Sequence, residues 1–205
     1  MPALIEKRGP WTVLSRRTAY SNPWMEVAEY DVLRPDGSPG LYGVMSPRGY
    51  AIGILPVFED GTTLLVGQHR FTLDAHSWEL PEGGGAKDLD PLESAKRELA
   101  EETGYTARHW QEFLQMDLSN SITDEQSFSF LAWGLRRGER APEAAEADMT
   151  VRRLPFDEAL DLAMSEQIRD AFTVAMLAKA DYMRRKGLLP EAIAAALSPT
   201  RERAK

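Results

Sequence analysis

The stretch that decides the fold is "DPLESAKRELAEETGY", residues 90–105. Asp90 is suited to accept hydrogen bonds from the first N–H groups of a helix, Pro91 suits the first helical position, and Gly104 suits the C-terminal cap. Apolar residues recur at helical spacing between these ends, at Leu92, Ala95 and Leu99. The sequence therefore predicts one short helix that buries one face.

Three carboxylates, Glu98, Glu101 and Glu102, crowd the last turns of this predicted helix. Like charges three or four residues apart cost about 0.2–0.5 kcal/mol per pair, and the negative end of the helix dipole adds to that cost. One interpretation is a solvated acidic face that Lys96 and Arg97 partly neutralise. The other is a site for a hard divalent cation, which prefers oxygen ligands.

The preceding segment, "WELPEGGGAKDLD", residues 78–90, favours the cation interpretation. Leu80 and Pro81 are followed closely by three glycines, at residues 83–85, so the backbone there can approach another group closely. A glycine run alone is typical of a flexible loop. Here it leads directly into the acidic helix, and the combination is specific.

Together these residues resemble the motif of the Nudix hydrolase family: Gly, five residues, Glu, seven residues, then Arg-Glu-aliphatic-x-Glu-Glu-x-Gly-aliphatic. Gly83 occupies the first position. The second half is matched by Arg97, Glu98, Leu99, Glu101, Glu102 and Gly104, with Tyr105 in the last apolar place. One position departs, because Leu89 stands where the motif has its first Glu, the usual partner of the motif arginine. We expect Asp88, Asp90 or Glu93 to replace it.

The resemblance implies a loop-helix-loop that binds Mg²⁺, or Mn²⁺, and hydrolyses a nucleoside diphosphate linked to another group. Glu98 and Glu102 would be direct metal ligands, and the carbonyl of Glu82 would add an oxygen. Glu101 would assist catalysis or hold a second metal ion, and Arg97 belongs to the same catalytic set. On this interpretation metal and substrate relieve the repulsion between the carboxylates.

Longer stretches, from about residue 20 to 177, resemble the ADP-ribose pyrophosphatase branch of the family. They are "NPWMEV", "LLVGQHRF", "SWELPEGG", "SITDEQSFSFLAWGL" and "LPFDEALDLAMSEQIRDAFT". The resemblance implies an α/β fold, the Nudix α/β/α sandwich with a mixed sheet and an N-terminal β extension. We expect dimerising N-terminal strands in residues 1–48, the hydrolase domain in 49–190 and a C-terminal tail in 191–205.

The branch also implies three substrate-binding residues. Arg70 would contact a phosphate of the diphosphate, and Trp24 would stack on the base, reaching the partner's site in a homodimer that exchanges N-terminal strands. Glu79 would contact the nucleotide or a metal-bound water. Each has a plainer alternative: a solvated arginine at a strand end, a core tryptophan and a structural ion-pair partner.

The general base is sought in the polar loop "RRGERAPEAAEADMT", because a mobile loop after the motif often carries it in this branch. Glu146 is the first choice, with Glu143 and Asp148 as alternatives. Asp124 and Glu125 in "SITDEQ" are rivals. Geometry decides this role, and the sequence does not supply geometry.

Composition excludes several other classes of protein. The 205 residues contain no cysteine, which excludes disulfides and thiolate metal sites, and the net charge of -8 argues against non-specific nucleic-acid binding. No apolar run is long enough to span a bilayer, and the first residues lack a secretory segment. We therefore expect a cytoplasmic enzyme that acts on a small molecule, without a membrane or nucleic-acid partner.

Several other elements are predicted from hydrophobic periodicity. Strands are expected on both sides of a turn at residues 35–37, at residues 51–58 and 63–68 around Asp60-Gly61, and in "WQEFLQMDL", "QSFSFLAWGL" and "TVRRLPF". Asp157 is expected to cap a helix. Residues 171–185 are expected to form a longer one that turns Val174, Leu177, Ala178 and Tyr182 to one side.

The resemblance of the motif and its flanking segments implies hydrolysis of ADP-ribose to AMP and ribose 5-phosphate. One alternative is hydrolysis of GDP-mannose or another nucleoside diphosphate sugar, because Glu82 and the triple glycine reshape the floor of the site. A second alternative is a non-catalytic ADP-ribose sensor. The intact glutamates count against a sensor, which has no need to retain their mutual repulsion.

Overall fold

The computed structural model describes residues 6–140 and 148–198, which fall into two compact units. The first unit lies within Met1–Tyr50 and Met116–Ser127, and the second within Ala51–Gln115 and Phe128–Lys205. Residues 116–127 return to the first unit, which the linear order of the predicted elements did not indicate. In that unit Met45 forms a β-bridge with Thr123.

The first unit is built on an antiparallel sheet of four strands in chain order. Its strands are β1 (Glu6–Arg8), β2 (Trp11–Ser21), β3 (Met25–Leu33) and β4 (Pro39–Pro47). One face buries a small apolar cluster of Val13, Ala28, Tyr30 and Val32. The predicted strand pair around residues 35–37 is confirmed, and the turn contains Gly37 with a φ of 84°.

Two further sheets carry most of the second unit. One has the order β8-β5-β10-β9, and the other has the order β11-β6-β7. The strands are β5 (Gly49–Pro56), β6 (Thr62–Arg70), β7 (Ala75–Glu79), β8 (Glu82–Ala86), β9 (Tyr105–Asp117), β10 (Gln126–Arg137) and β11 (Thr150–Pro155). Because β5 and β6 belong to different sheets, the Asp60-Gly61 turn links two sheets.

The core of the second unit is apolar and comes from strands and helices alike. Fully buried side chains include Ile52, Ile54, Leu55, Leu64, Leu65, Leu80, Leu99, Leu131, Met176 and Leu177. Burying a side chain of this kind contributes about 1.5–3 kcal/mol. The mixed α/β class predicted from the sequence is confirmed.

Helix α1 (Pro91–Thr103) follows the prediction at both ends. The Asp90 carboxylate accepts a hydrogen bond from the Leu92 N–H at 2.9 Å. Gly104 has a φ of 73°, in the left-handed region that favours glycine, and its N–H donates to the Ala100 carbonyl. These caps fix where the helix begins and ends.

Two predictions about the later helices are wrong. Helix α2 (Phe156–Met164) starts after Pro155, so Asp157 lies inside its first turn, where it binds Arg184 at 2.6 Å. Helix α3 (Ala171–Lys186) leaves Tyr182 exposed. Its buried apolar side chains are Phe172, Met176, Leu177, Ala180 and Met183. Apolar residues occur all around α3, so packing selects the buried face.

Helix α4 (Glu191–Ala196) lies in the segment assigned to a tail from the sequence. Its Ile193 is fully buried. Gly61, with a φ of 77°, makes room for this helix, because a Cβ there would lie 2.5 Å from the Ala196 carbonyl oxygen. None of the helices in residues 6–140 and 148–198 is long and apolar enough to cross a membrane.

Candidate active site

Two of the three clustered glutamates on α1 are buried. Glu98 is 5% exposed and Glu102 is 1% exposed, while Glu101 is half-buried. The Glu102 carboxylate accepts a hydrogen bond from the backbone N–H of Glu82 at 3.0 Å. The cluster is therefore not a solvated acidic face, because two of its members turn toward the start of β8.

Gly83 is the position where β8 meets the helix. A Cβ at this residue would lie 2.3 Å from the carboxyl carbon of Glu98, a distance at which something must shift. A Cβ added at Gly84 would have no atom within 4 Å. Among the three glycines, Gly83 therefore lets the backbone lie against the buried carboxylate.

Arg97 holds the carboxylate cluster together. Its guanidinium donates to Glu98 and to Glu101, both at 2.6 Å, and to the Gly84 carbonyl at 2.8 Å. The prediction that Asp88, Asp90 or Glu93 pairs with Arg97 in place of the missing motif Glu is therefore wrong. Asp90 caps the helix, Glu93 binds Lys96, and Asp88 makes no bond to Arg97. A partner four residues on along the same helix is within easier reach.

A second charged cluster surrounds Arg70 at the end of β6. Its Nε donates to Glu79 at 2.9 Å, and its Nη2 lies 3.3 Å from a Glu82 oxygen. Carboxylate oxygens of Glu79, Glu82 and Asp170 all lie within 4.8 Å of one another. Arg70 is thus a partly buried ion-pair partner and not a solvated arginine at a strand end.

The electrostatics of this cluster centre on Glu82. Burial raises the pKa of the Glu82 carboxyl well above its ordinary value, and the neighbouring carboxylates of Asp170 and Glu79 raise it further. The hydrogen bonds that Arg70 donates to the Glu79 carboxylate raise the pKa of its guanidinium, which stays charged. One buried oxygen of Glu82, Oε2, has no hydrogen-bond partner among the described residues.

The residues present fit a hard divalent cation. Glu98, Glu101 and Glu102 supply only oxygen donors, and the buried position of two of them lowers the dielectric around any bound ion. A partnerless carboxylate oxygen on nearby Glu82 adds a further oxygen donor. Such a set suits Mg²⁺ or Mn²⁺ better than a metal that prefers nitrogen or sulfur.

The remaining predicted residues do not belong to the contacts described so far. Trp24 belongs to the first unit and is 76% exposed, so it is not a core tryptophan. Asp124 and Glu125 also lie in the first unit, where Asp124 accepts a hydrogen bond from Ser46. Asp148 is exposed. The other two candidates for the general base, Glu143 and Glu146, lie outside the described residues.

Asp170 is the site residue that sequence reasoning missed. It is the N-cap of α3, with its carboxylate accepting from the Thr173 N–H at 2.6 Å. An aspartate before a helix signals a cap, and nothing in the linear sequence connects it to residues 79 and 82. Only the docking of α3, in which Thr173 also accepts from the Leu80 N–H, brings it there.

The chain matches two known domain families. Residues 47–174 match the NUDIX domain, and residues 11–45 match the N-terminal domain of nucleoside diphosphate sugar hydrolases. The first match contains all of α1 and the Arg70 cluster. The second corresponds to most of the sheet of the first unit.

Curated relatives and a solved structure agree with these matches. The chain is 35% identical to an ADP-ribose pyrophosphatase of Mycobacterium tuberculosis, over 79% of each chain. It is 30% identical to an ADP-ribose pyrophosphatase of Bacillus subtilis, over 84% of this chain and 91% of the relative. A crystal structure of an ADP compounds hydrolase shares the fold, with a TM-score of 0.78 at 18% identity over 90% of this chain and 100% of the other. The protein belongs to the Nudix family.

Proposed function

We propose that the protein hydrolyses the diphosphate linkage of ADP-ribose, or of a closely related nucleoside diphosphate sugar, with Mg²⁺ or Mn²⁺ as cofactor. The observation that carries this proposal is the pair of buried carboxylates, Glu98 and Glu102, set against Gly83. The match of residues 11–45 to an N-terminal domain of nucleoside diphosphate sugar hydrolases supports the substrate class.

In the proposed reaction the oxygen of a water molecule bonds to one phosphorus, and the bridging P–O bond breaks. The bridging oxygen leaves with the other phosphate, so ADP-ribose gives AMP and ribose 5-phosphate. A bound divalent cation supplies charge neutralisation for the diphosphate and lowers the pKa of the attacking water. Glu98 and Glu102 would hold this cation, and Glu101 would assist.

Arg97 keeps the proposed ligands in place. Its bonds to Glu98 and Glu101 hold both carboxylates in one orientation on α1, and its bond to the Gly84 carbonyl connects the helix to β8. This network also offsets part of the repulsion among the carboxylates in the absence of metal. Arg97 is therefore a positioning residue in this proposal.

Arg70 and Trp24 are the proposed substrate contacts. Arg70 is 35% exposed at its side chain, so it retains donors for a phosphate, while Glu79 orients its guanidinium. Trp24 offers an exposed indole for stacking on a base. The proposed general base is Glu146, which accepts the proton of the attacking water.

A homodimer formed through the strands of residues 1–48 is part of the proposal. The sheet of the first unit carries a cavity of about 200 Å³ lined mostly by apolar and aromatic side chains, among them Trp11, Val32 and Val44. A second chain would cover such a face, because exposed apolar surface favours association. Light scattering coupled to size-exclusion chromatography measures the mass and would contradict the dimer by returning a monomer.

The test is incubation of the purified protein with Mg²⁺ and, separately, ADP-ribose, ADP-glucose, GDP-mannose and UDP-glucose. Ion-exchange chromatography separates the products. We expect AMP to be released fastest from ADP-ribose. Fastest release from GDP-mannose would overturn the substrate and keep the chemistry, and binding of ADP-ribose without any hydrolysis would favour a sensor.

A further inference from the structure

The second unit contains a cavity that the proposed reaction does not use. It is half open to solvent, has a volume of about 360 Å³ and is lined by residues 57–59 after β5, the paired strands β9 and β10, and helix α4. Among the described residues, none of the proposed catalytic, metal-binding or substrate-binding side chains lines it. The volume lies in the range of small-molecule sites.

Two glycines in the left-handed region allow the elements around this cavity to pack closely. Gly61 admits the C-terminal carbonyl of α4, as described above. Gly134 in β10, with a φ of 67°, lets β9 approach closely, since a Cβ there would lie 3.1 Å from the Cβ of Arg108. A left-handed residue within a strand marks a local distortion of the ladder, and such distortions re-aim neighbouring side chains.

The lining combines aromatic rings with positive charge. Trp133 stacks on His109, with ring centroids 5.3 Å apart and planes inclined by 24°. Among the described residues of the lining, two guanidinium groups, from Arg108 and Arg136, are accompanied by one carboxylate, that of Glu59. The cavity is thus cationic in a chain whose net charge is -8.

Both arginines are without a partner among the described residues. In those residues most other arginines bond a carboxylate, as Arg16, Arg70 and Arg184 do, whereas Arg108 and Arg136 make no hydrogen bond or ion pair. A guanidinium left unpaired in an acidic protein keeps all its donors for an external anion. Its planar fork suits the oxygens of a phosphate.

We propose that this cavity binds a nucleoside phosphate, with Arg108 and Arg136 on the phosphate and Trp133 against the base. A ring stacked on one neighbour still has a second face, and stacking on a base is worth about 1–3 kcal/mol. The two arginines suit the phosphate of a nucleotide, and the aromatic ring suits its base. A sugar phosphate would use only the arginines.

The test follows the indole N–H resonance of Trp133 in ¹⁵N-labelled full-length protein, identified by its loss in Trp133→Phe. AMP is titrated in EDTA, so no hydrolysis is measured and the result does not depend on the proposed reaction. We expect a saturable shift at Trp133. The Trp110 indole, which donates to the Ala107 carbonyl and does not line the cavity, serves as the internal control.

The matched variants are Arg136→Ala and its sequence neighbour Arg137→Ala, which removes the same charge outside the cavity. Losing a charge-assisted hydrogen bond should weaken AMP binding, as measured at the Trp133 resonance, at least about tenfold in Arg136→Ala and Arg108→Ala. In Arg137→Ala the affinity for AMP should be unchanged. Adenosine and inorganic phosphate should each bind more weakly than AMP.

Three results would overturn the proposal. They are the absence of a Trp133 shift at millimolar AMP, equal weakening by Arg136→Ala and Arg137→Ala, and binding of adenosine or phosphate as tight as that of AMP. Both arginines are exposed, so we expect these variants to fold; a melting temperature close to that of the unaltered protein checks this.

Discussion

Helices α1 and α3 share their local design and differ in what they do with charge. Each begins at an aspartate N-cap, Asp90 or Asp170, and each ends at a left-handed glycine. The last turn of α3 carries three basic residues, Arg184, Arg185 and Lys186, which complement the helix dipole. The last turn of α1 carries none and contains glutamates instead.

The difference separates a helix that serves folding from one that, in the proposed function, also serves chemistry. The buried side of α3 is almost entirely apolar, whereas α1 buries Glu98 and Glu102 beside Leu99. A buried carboxylate is costly unless it is paired or bound to a metal. The burial of charged side chains against their usual preference for solvent is expected at functional sites, where stability is given up for function.

The largest effect is expected from Glu102→Gln. Losing a proposed metal ligand should slow hydrolysis of ADP-ribose at least about a hundredfold, because even partners beyond the ligands cost 10–100-fold. Stability should hold or rise, since one like-charge contact is gone. Initial rates and melting temperatures measure the two. The control Glu93→Gln, an exposed residue on the same helix, should keep full activity, and equal loss in both variants would contradict the metal role.

Gly83→Ala tests whether α1 depends on the close approach of β8. The added methyl would collide with the buried Glu98 carboxylate, so we expect a loss of about 1–3 kcal/mol in the free energy of unfolding. Urea denaturation measures it. Gly84→Ala adds the same methyl where no atom lies within 4 Å, and its stability should stay close to that of the unaltered protein.

Glu82→Gln probes the electrostatic cost of the second cluster through pH. Burial, Asp170 and Glu79 raise the folded-state pKa of Glu82 above its ordinary value of 4.5, so as pH rises the unfolded chain ionises first. The contribution of this group to stability is present below pH 4.5 and is lost as pH rises through the folded-state pKa.

Glutamine does not titrate at this position. The variant should therefore gain stability over the unaltered protein at pH 8 and gain less at pH 5. Urea denaturation in EDTA at both values measures the difference. The same difference at both pH values would show that Glu82 keeps an unshifted pKa.

The smallest effect is expected from Arg185→Gln at the end of α3. Arg185 is 68% exposed at its side chain and bonds Asp181 at 2.9 Å, four residues earlier. Removing a charge that complements the helix dipole and forms one surface pair should cost about 0.3–1 kcal/mol. Hydrolysis should be unchanged. A loss of activity without a loss of stability would break the contrast between the two helices.

Much of α1 was predictable because its signals are local. Its caps at Asp90 and Gly104, its length and its clustered glutamates depend on residues within one or two turns. The strands on both sides of residues 35–37 were predictable for the same reason. The start of α2 was not predictable, since its N-cap, Pro155, has no side chain that can accept the capping bond. The buried face of α3 was not predictable either, because apolar residues of similar spacing offered several faces and packing selected one.

The sequence alone determined the family, the class of fold and the identity of the carboxylates on α1, because the spacing of a motif along one helix is a property of the chain. Only tertiary structure decided that Glu98 and Glu102 are buried and that Arg97 reaches the Gly84 carbonyl of β8. It also brought Asp170 to Glu79 and Glu82 across more than 80 residues of sequence. Burial and long-range pairing depend on which surfaces pack together, and the linear order of residues does not specify that.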